Sequence, residues 1–341
     1  MFQMGASLKD IAERLNLSKT TVSWVLSGQG DAKGISEMTQ QRVIQCAQEL
    51  SYHPNLLARS LNTGVSKTIG LILPSISDSF YAHVANEIEY EAKKEGYSLM
   101  IASSNAEIER ENAMIRLFRS KKVDGMVIAP TKISDREIVA LANDRYPLVL
   151  FDRYFPDLNI NHVIIDNEKS SSMLVRHLVE KGYRKIALIT TNPHLFTMNK
   201  RREGYVNTLS DAGIHVDPNL YGEVPYINYK ENIKTTLDRI FETVPDVDAF
   251  FFATHILAIE AFQYFHDKGI DISKGGIGLA SMHSETLFRM VAPYIDIAHF
   301  PVKGIGKSTV QVLLGQIKAQ EAGQEYVPQE VVVPCLLDLV D

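Results

Sequence analysis

The chain has 341 residues, of which 45% are hydrophobic and 22% charged, so it is long enough for two or three domains and has an ordinary globular composition. No apolar run reaches the length of a membrane span, and the first residues lack the pattern of a signal peptide, so we expect a cytoplasmic protein that contacts no membrane. Its two cysteines, Cys46 and Cys335, stand far apart, which argues against a disulfide framework, a metal site or another bound cofactor.

The charge is distributed unevenly along the chain. The net charge is −6, but the residues up to Lys67 carry a balance of +2 and the remainder carries −8. A slightly basic head on an acidic body is typical of a DNA-binding protein with a sensor domain, although the signal is weak by itself.

The first helices are predicted from capping residues and apolar spacing. Ser7 with Asp10 forms a capping-box pattern, Ser18 caps a second helix, and a third is expected to begin after Ser36. The apolar stripe of the first helix is Leu8, Ile11, Ala12 and Leu15, and the third is expected to bury Val43, Ile44, Ala47 and Leu50. Cys46 also lies on the third helix's apolar face, so we expect a small core residue there.

The second helix has the side chains of a DNA-reading element. Val22, Val25 and Leu26 are expected to face inward, which leaves Lys19, Thr20, Ser23 and Trp24 outward. This outward set is small, hydroxylated and basic, with one aromatic ring, and can contact base edges and phosphates in a major groove. An unspecialised three-helix bundle is the alternative, and the very short linker between the first two helices argues against it.

A short hinge helix is predicted next. Pro54 fixes its start, and residues 55–62 give barely two turns, too few for stability in isolation. We expect it to order against a partner chain and DNA, with Leu61 as an apolar wedge that kinks a base step. A linker helix packed on the body is the alternative.

These residues resemble those of the LacI/GalR (lactose-repressor) family of bacterial regulators. The matching motifs are Leu8–Ala12, Ser18–Ser23, Thr39–Tyr52, Pro54–Asn55 and Ala58–Leu61. The resemblance implies a homodimer, or a tetramer, whose heads read a near-palindromic double-stranded operator. It implies that Lys19, Thr20 and Trp24 face bases, that Thr21 and Ser23 contact phosphates, and that Ser7, Asn55, Ala58 and Leu61 complete the DNA-binding set.

Two departures from the family pattern occur in the head. Trp24 stands where the family usually has Arg, which pairs with guanine through two hydrogen bonds, whereas Trp offers one N–H and a flat apolar face. The loop Gly28–Gly34 is longer than usual. The base preference that the resemblance implies at Trp24 is therefore left open.

From Thr68 onward, apolar runs alternate with amphipathic helices, as in a doubly wound parallel α/β sheet. Strands are predicted at Thr68–Leu73, Ser98–Ala102, Gly125–Ala129, Leu148–Phe151, Lys185–Thr190, Ala249–Ala253 and Gly276–Ala280. Helices are predicted at Tyr81–Lys94, Arg110–Ser120, Ser134–Asn143, Ser170–Lys181, Lys200–Ala212, Lys230–Val244 and Ile256–Lys268. The repeated order predicts two similar lobes with a cleft between them.

The expected domains are a helix-turn-helix head at 1–53, a hinge at 54–67 and a core at 68–341 like that of periplasmic binding proteins. The resemblance adds three crossings between the lobes, near Asp166, Ile297 and Glu325. Lobe one would then comprise about 68–165 and 298–324, and lobe two about 166–297 and 325–341.

An effector is expected in the cleft, beyond the carboxyl ends of the strands. The expected binding residues are Ser75, Phe80, Asp152, Arg153, Arg201, Thr254, His255 and His283. The resemblance makes Arg201 a clamp for the effector and places Asp152 and Phe80 in the pocket. The family commonly has Asn-Asp at Thr254-His255 and Asp at His283. Histidines beside an arginine favour a carboxylated or phosphorylated effector, or an atypical sugar, unless both histidines have only structural roles.

An enzyme is the first rival function. Gly304–Thr309 is similar to the end of a phosphate-binding loop, but Pro301 stands where that motif requires Gly, so we expect a helix start where Gly306 allows close packing. The spacing of His194, His255, His283 and His299 matches no metal-binding motif. A solute-binding or sensor protein of the same core fold is the second rival, and it would not need residues 7–62. The head therefore favours a transcription regulator that is not an enzyme.

Overall fold

A computed structural model describes residues 6–52, 64–131, 136–191, 195–225 and 228–341. The chain divides into two compact units, Met1–Ser66 and Lys67–Asp341. Within the described ranges, no helix is both long and apolar enough to cross a lipid bilayer.

The head unit is a bundle of three helices with capped N-termini: α1 (Leu8–Leu15), α2 (Lys19–Leu26) and α3 (Glu37–Glu49). The predicted capping box is present, because the Ser7 side chain accepts from the Asp10 N–H while the Asp10 carboxylate accepts from the Ser7 N–H. At α2 and α3 the side chains of Ser18 and Ser36 cap the helix by accepting from the N–H groups of Thr21 and Thr39. A short 3₁₀ turn, Asp31–Lys33, lies between α2 and α3.

The core of the head forms where the apolar stripes of the helices meet. Its buried members are Ile11, Ala12, Val22, Val25, Val43, Cys46 and Ala47. The expectation that Ile44 is buried is wrong, since Ile44 is 45% exposed. Val43, Cys46 and Ala47 occupy the inner face of α3, and Ile44 lies one position off that stripe.

The larger unit contains two six-stranded sheets. Sheet one has the order β11-β5-β4-β3-β1-β2 and is parallel throughout; its strands are β1 (Thr68–Leu73), β2 (Ser98–Ser103), β3 (Gly125–Ile128), β4 (Leu148–Phe151), β5 (Asn161–Ile165) and β11 (Glu330–Val333). Sheet two has the order β12-β10-β9-β8-β6-β7; its strands are β6 (Ile186–Thr190), β7 (Tyr221–Glu223), β8 (Ala249–Phe252), β9 (Gly278–Met282), β10 (Asp296–His299) and β12 (Leu336–Asp338). Only its β10–β12 pair is antiparallel. Two doubly wound lobes result, as the alternating pattern predicts.

Helices cover these sheets. They are α4 (Ser79–Lys94), α5 (Ile108–Ser120), α6 (Arg136–Asn143), α7 (Asn167–Glu180), α8 (Phe196–Asp211), α9 (Tyr229–Thr243), α10 (His255–Asp267), α11 (Phe288–Val291) and α12 (Val302–Glu321). As expected, α12 begins beside the Gly-rich stretch, and a Cβ on Gly306 would lie 2.6 Å from Cβ of Glu87 on α4. The glycine therefore allows these two helices to approach closely.

One of the three crossings lies away from its expected position. The first follows β5, beside Asp166, and the second follows β10, which ends at His299, close to Ile297. The third lies between β11 and β12, not near Glu325, because β11 pairs with β5 of sheet one, with Val331 opposite Val163. Residues 330–333 therefore belong to lobe one, since their backbone groups complete the edge of its sheet.

Candidate functional sites

The outward surface of α2 has the composition predicted for it. Lys19, Thr20 and Ser23 are exposed. Thr21 is half-buried and its hydroxyl lies 2.8 Å from that of Ser18, so it belongs partly to the helix cap. Trp24 is half-buried, with the Lys33 ammonium 5.2 Å from its ring centroid.

The other expected DNA contacts are Ser7 of the head and three residues of the expected hinge. Ser7 is exposed, but its hydroxyl is engaged with the Asp10 carboxylate at 2.8 Å. Asn55, Ala58 and Leu61 lie outside the described residues. Within the described head, the α2 surface is therefore the main candidate for contact with nucleic acid.

In the larger unit, the carboxyl ends of the strands of both lobes meet around a cleft. Of the expected residues, it is lined by Phe80, Asp152, Arg153, Arg201, Thr254 and His255, together with apolar side chains such as Leu195, Met198 and Phe300. The cleft encloses a cavity of about 70 Å³, small beside the several hundred Å³ typical of ligand pockets. A metabolite of ordinary size therefore requires the cleft to widen or its side chains to rearrange.

Arg201 is the most deeply buried charge of the cleft, at 3% exposure. Its Nε donates to Asn167 Oδ1 at 2.7 Å, and one terminal nitrogen donates to the Ala253 carbonyl at 2.7 Å. Its guanidinium also lies over the ring of Phe300. Burial lowers the pKa of Arg201, with the Asp152 carboxylate acting in the opposite direction. Two of its five N–H groups are used by neutral partners, which leaves donors for a ligand.

Asp152 is held by neighbours in lobe one. It has a left-handed φ of 61° directly after β4, and its carboxylate accepts the Tyr81 hydroxyl at 2.6 Å. Arg153 Nε lies 3.7 Å from the same carboxylate oxygen. Burial raises the pKa of Tyr81 well above its usual range, so the phenol stays protonated and donates to Asp152.

His255 joins the two lobes at the cleft. It is the first residue of α10, capped by Thr254, whose hydroxyl accepts from the Leu257 N–H at 3.4 Å. Its Nε2 lies 3.8 Å from Asp78 of lobe one and 3.6 Å from Glu285 of lobe two. Burial lowers the pKa of His255, while the Asp78 and Glu285 carboxylates oppose that shift. Ser79 of lobe one also hydrogen-bonds Glu285, so this group of four residues links the lobes.

His283 and Ser75 do not line the cleft as expected. His283 stacks on Phe300 with ring centroids 4.7 Å apart, and its Nδ1 accepts from the Phe300 N–H. Burial lowers the pKa of His283 to about 3, so the ring is neutral. Ser75 accepts from the Ser77 N–H within the loop after β1. His283 is thus packed against Phe300, whereas His255 lines the cleft.

The sequence does not identify Phe300 as a cleft residue or Glu285 as a contact of His255. Phe300 follows β10, a short strand that begins with Asp296 and ends with His299, so no apolar run marks it. Glu285 lies just beyond the carboxyl end of β9. Ligands bind beyond such strand ends, but this rule does not distinguish Glu285 from the residues next to it. Among the described residues, no group of three or more His, Cys, Asp or Glu side chains is placed to hold a metal ion.

Comparison with known proteins identifies the family. The model for bacterial regulatory proteins of the lacI family matches residues 7–55, and the model for periplasmic binding proteins and the sugar binding domain of the LacI family matches residues 66–334. The chain belongs to the lacI family. The head of this lacI-family protein is therefore the helix-turn-helix DNA-binding region of a transcription regulator, which confirms the predicted class.

The relatives of this lacI-family regulator agree along most of its length. It is 26% identical over 315 residues to the HTH-type transcriptional repressor PurR of Aliivibrio salmonicida, with 92% of each chain covered. It is 27% identical over 313 residues to the ribose operon repressor of Haemophilus influenzae, again with 92% of each covered. Its fold is similar to that in a crystal structure of the lac repressor dimer bound to operator, with a TM-score of 0.83 at 20% identity and 97% of each chain covered.

Proposed function

We propose that this chain is a transcriptional repressor that binds a near-palindromic operator as a homodimer, and that a small molecule in the cleft sets its affinity for DNA. The observation that supports this most is that one chain combines a DNA-binding surface with a ligand cleft. The head exposes Lys19, Thr20 and Ser23 on α2, and residues of both lobes of the core line one cleft. The ribose operon repressor among its relatives supports control of genes for carbohydrate uptake or catabolism.

Dimerisation is supported by an exposed apolar patch in lobe two. The patch comprises Leu287, Met290, Val291 and Tyr294, whose exposed fractions range from 47% to 78%. Contiguous apolar side chains in contact with water favour association, and a two-fold dimer matches two heads to two half-sites. We place the head at 1–53 and the hinge at 54–67, with Asn55, Ala58 and Leu61 of the hinge helix at the minor groove.

The effector is proposed to be an acidic sugar, such as a sugar phosphate or a sugar acid. Arg201 is a buried cation, and among the described residues it forms no ion pair, since its bonds go to the Asn167 amide and the Ala253 carbonyl. A buried charge that forms no direct ion pair is costly, and burial outweighs the effect of the Asp152 carboxylate on Arg201, so the cleft favours an anion beside Arg201. Carboxylates nearby, such as Asp152, can accept hydrogen bonds from sugar hydroxyls.

The effector is proposed to act by changing the contacts that link the lobes. Asp78 and Ser79 of lobe one contact His255 and Glu285 of lobe two at the rim of the same cleft. A ligand that occupies this space changes the angle between the lobes, and thereby the placement of the hinge helices. Thermodynamic linkage requires DNA to change effector affinity by the same factor.

The alternative is a solute-binding or sensor protein of the same core fold. Such a protein would not need the three capped helices of the head. The two functions are distinguished by whether the purified chain selects particular duplexes from a mixture of genomic fragments.

Calorimetric titration tests the effector class. Matched pairs of sugars, each neutral and phosphorylated or oxidised to the acid, are titrated into the full chain, and we expect binding of the acidic members. Arg201→Met is expected to weaken that binding roughly 10- to 100-fold, because hydrogen bonds to charged groups contribute about 1.5–3 kcal/mol. Arg202→Met is the matched control, since Arg202 is exposed and stacks on Tyr221 rather than lining the cleft. Tight binding of a neutral sugar alone contradicts the proposal.

A further inference from the structure

The loop between α2 and α3 places a lysine against the aromatic ring of α2. Lys33 is exposed and its ammonium lies 5.2 Å from the centroid of the Trp24 ring, within the range of a cation–π contact. Both residues depart from the pattern that the head otherwise matches, since Trp24 replaces a usual arginine and Lys33 lies in the lengthened loop. The structure brings the two departures into contact.

Hydrogen bonds connect the loop between α2 and α3 to both of these helices. The Trp24 carbonyl accepts from the Gln29 N–H at 2.8 Å, and the Ile35 N–H closes the loop onto the Gly30 carbonyl at 2.9 Å. From α3, the Gln40 amide donates to the Asp31 carboxylate and to the Ile35 carbonyl, both at 2.8 Å. These contacts fix the position of the loop relative to α2 and α3.

Gly30 shows how closely the loop and α3 fit together. It is buried, and a Cβ at this position would lie 2.4 Å from the side-chain carbonyl carbon of Gln40. The backbone of the loop therefore lies directly against the side chain that anchors it. The backbone from which the Lys33 side chain extends is therefore held beside α2 by the fold.

The Lys33 ammonium is available to a ligand. The Trp24 ring attracts the positive charge but accepts no conventional hydrogen bond, so three N–H donors remain. Among the described residues Lys33 forms no ion pair, and the Asp31 carboxylate in the same loop accepts a hydrogen bond from the Gln40 amide. Lys33 thus places a cation beside Trp24, which directly follows the exposed Ser23 on α2.

We propose that Trp24 and Lys33 form one DNA-contacting unit, in which Lys33 binds a backbone phosphate at the edge of the groove that α2 enters and the Trp24 ring holds the ammonium in position. The uncovered part of the indole then faces the groove as an apolar surface, suited to a thymine methyl group. This inference rests on the proposed operator binding.

The salt dependence of operator affinity tests the phosphate contact. The full chain and its Lys33→Ala variant are titrated onto a selected operator duplex at several KCl concentrations. Each lost phosphate contact reduces the magnitude of the negative slope of log K against log salt by about 0.9. A dimer that loses one contact per head should therefore show a reduction of about 1.8. Arg42→Ala is the control, since it removes one exposed positive charge from α3 of the same head and should leave the slope unchanged. An unchanged slope for Lys33→Ala, or an equal fall for Arg42→Ala, overturns the proposal.

A double-mutant cycle tests the positioning role of the ring. Trp24→Leu keeps an apolar side chain but removes the ring that attracts the ammonium. If the two residues act as one unit, Lys33→Ala raises the operator Kd by a smaller factor in the Trp24→Leu background than in the wild type. Equal factors overturn the positioning role, and circular dichroism establishes that each variant is folded. If the wild-type chain selects no operator, the proposed function fails. If the wild type selects an operator but Lys33→Ala has the same salt slope as the wild type, only this inference fails.

Discussion

His283 combines a left-handed backbone with a buried neutral ring. Its φ is 69°, a conformation that favours Gly or Asn, and its ring lies between His255 and Phe300. The backbone turn directs the ring onto Phe300 instead of into the cleft. The position of His283 after β9 predicts that its side chain lines the cleft. The left-handed φ that turns the side chain away cannot be predicted from the sequence.

The low pKa of His283 predicts a loss of stability in acid. In the unfolded chain the histidine titrates near 6.5, whereas burial lowers its pKa to about 3 in the folded chain. Its contribution is complete above pH 6.5 and declines as the pH falls from 6.5 towards 3, by up to about 1.4 kcal/mol per pH unit. We expect His283→Asn to reduce the fall in unfolding free energy between pH 6.5 and pH 4.5, measured by urea denaturation. His266→Asn on the exposed end of α10 is the control, and an identical pH dependence in the wild type and His283→Asn would refute the prediction.

At the scale of elements, most of the strands predicted from the sequence are buried on both faces, and β2, an edge strand with no buried residue, is an exception. The residues of β1, β3 and β4 are continuous apolar runs, and all of those in β3 and β4 are buried. The strands β7 and β10 are short and carry polar residues, and β5 begins with Asn161 and His162, so no run marks them. The start of α8 is predicted four residues late because its N-cap position, Leu195, provides no side-chain cap.

Two glycines of α12 should respond to alanine in opposite directions. A Cβ on Gly306 meets Glu87 at 2.6 Å, whereas at Gly315 the nearest atom is 3.9 Å away on Tyr326. Overpacking costs about 1–3 kcal/mol, while removing a glycine from a helix interior with free space stabilises by about 0.5–1 kcal/mol. We expect Gly306→Ala to lower and Gly315→Ala to raise the free energy of unfolding in urea. Changes of the same sign in both variants would disagree with the close approach of α12 and α4.

At the scale of the molecule, the two lobes explain why distant residues share one site. Arg201, Asp152 and His255 follow different strands in two sheets, and they converge because carboxyl ends of parallel strands face the cleft. The sequence predicts that convergence from the order of strands alone. It does not predict that Asp78 and Glu285 flank His255, since that contact depends on how far the lobes close.

The apolar patch of lobe two should determine the assembly state. Met290 is 78% exposed, and an aspartate in its place would put a charge into any interface built there. We expect Met290→Asp to sediment as a monomer in analytical ultracentrifugation and to bind operator weakly. Val327→Asp changes a residue with 75% exposure outside the patch, and this variant should keep the assembly state of the wild type. A dimeric Met290→Asp variant would exclude the patch as the dimer interface.

The most direct test of operator binding under effector control is to let the purified full chain select fragments of genomic DNA. The selection is done with and without the acidic sugar that binds most tightly. We expect enrichment of fragments that share a near-palindromic sequence, two chains bound to each site, and an affinity for that site that changes when the sugar is added. A chain that remains monomeric and enriches no fragment in either condition would contradict it.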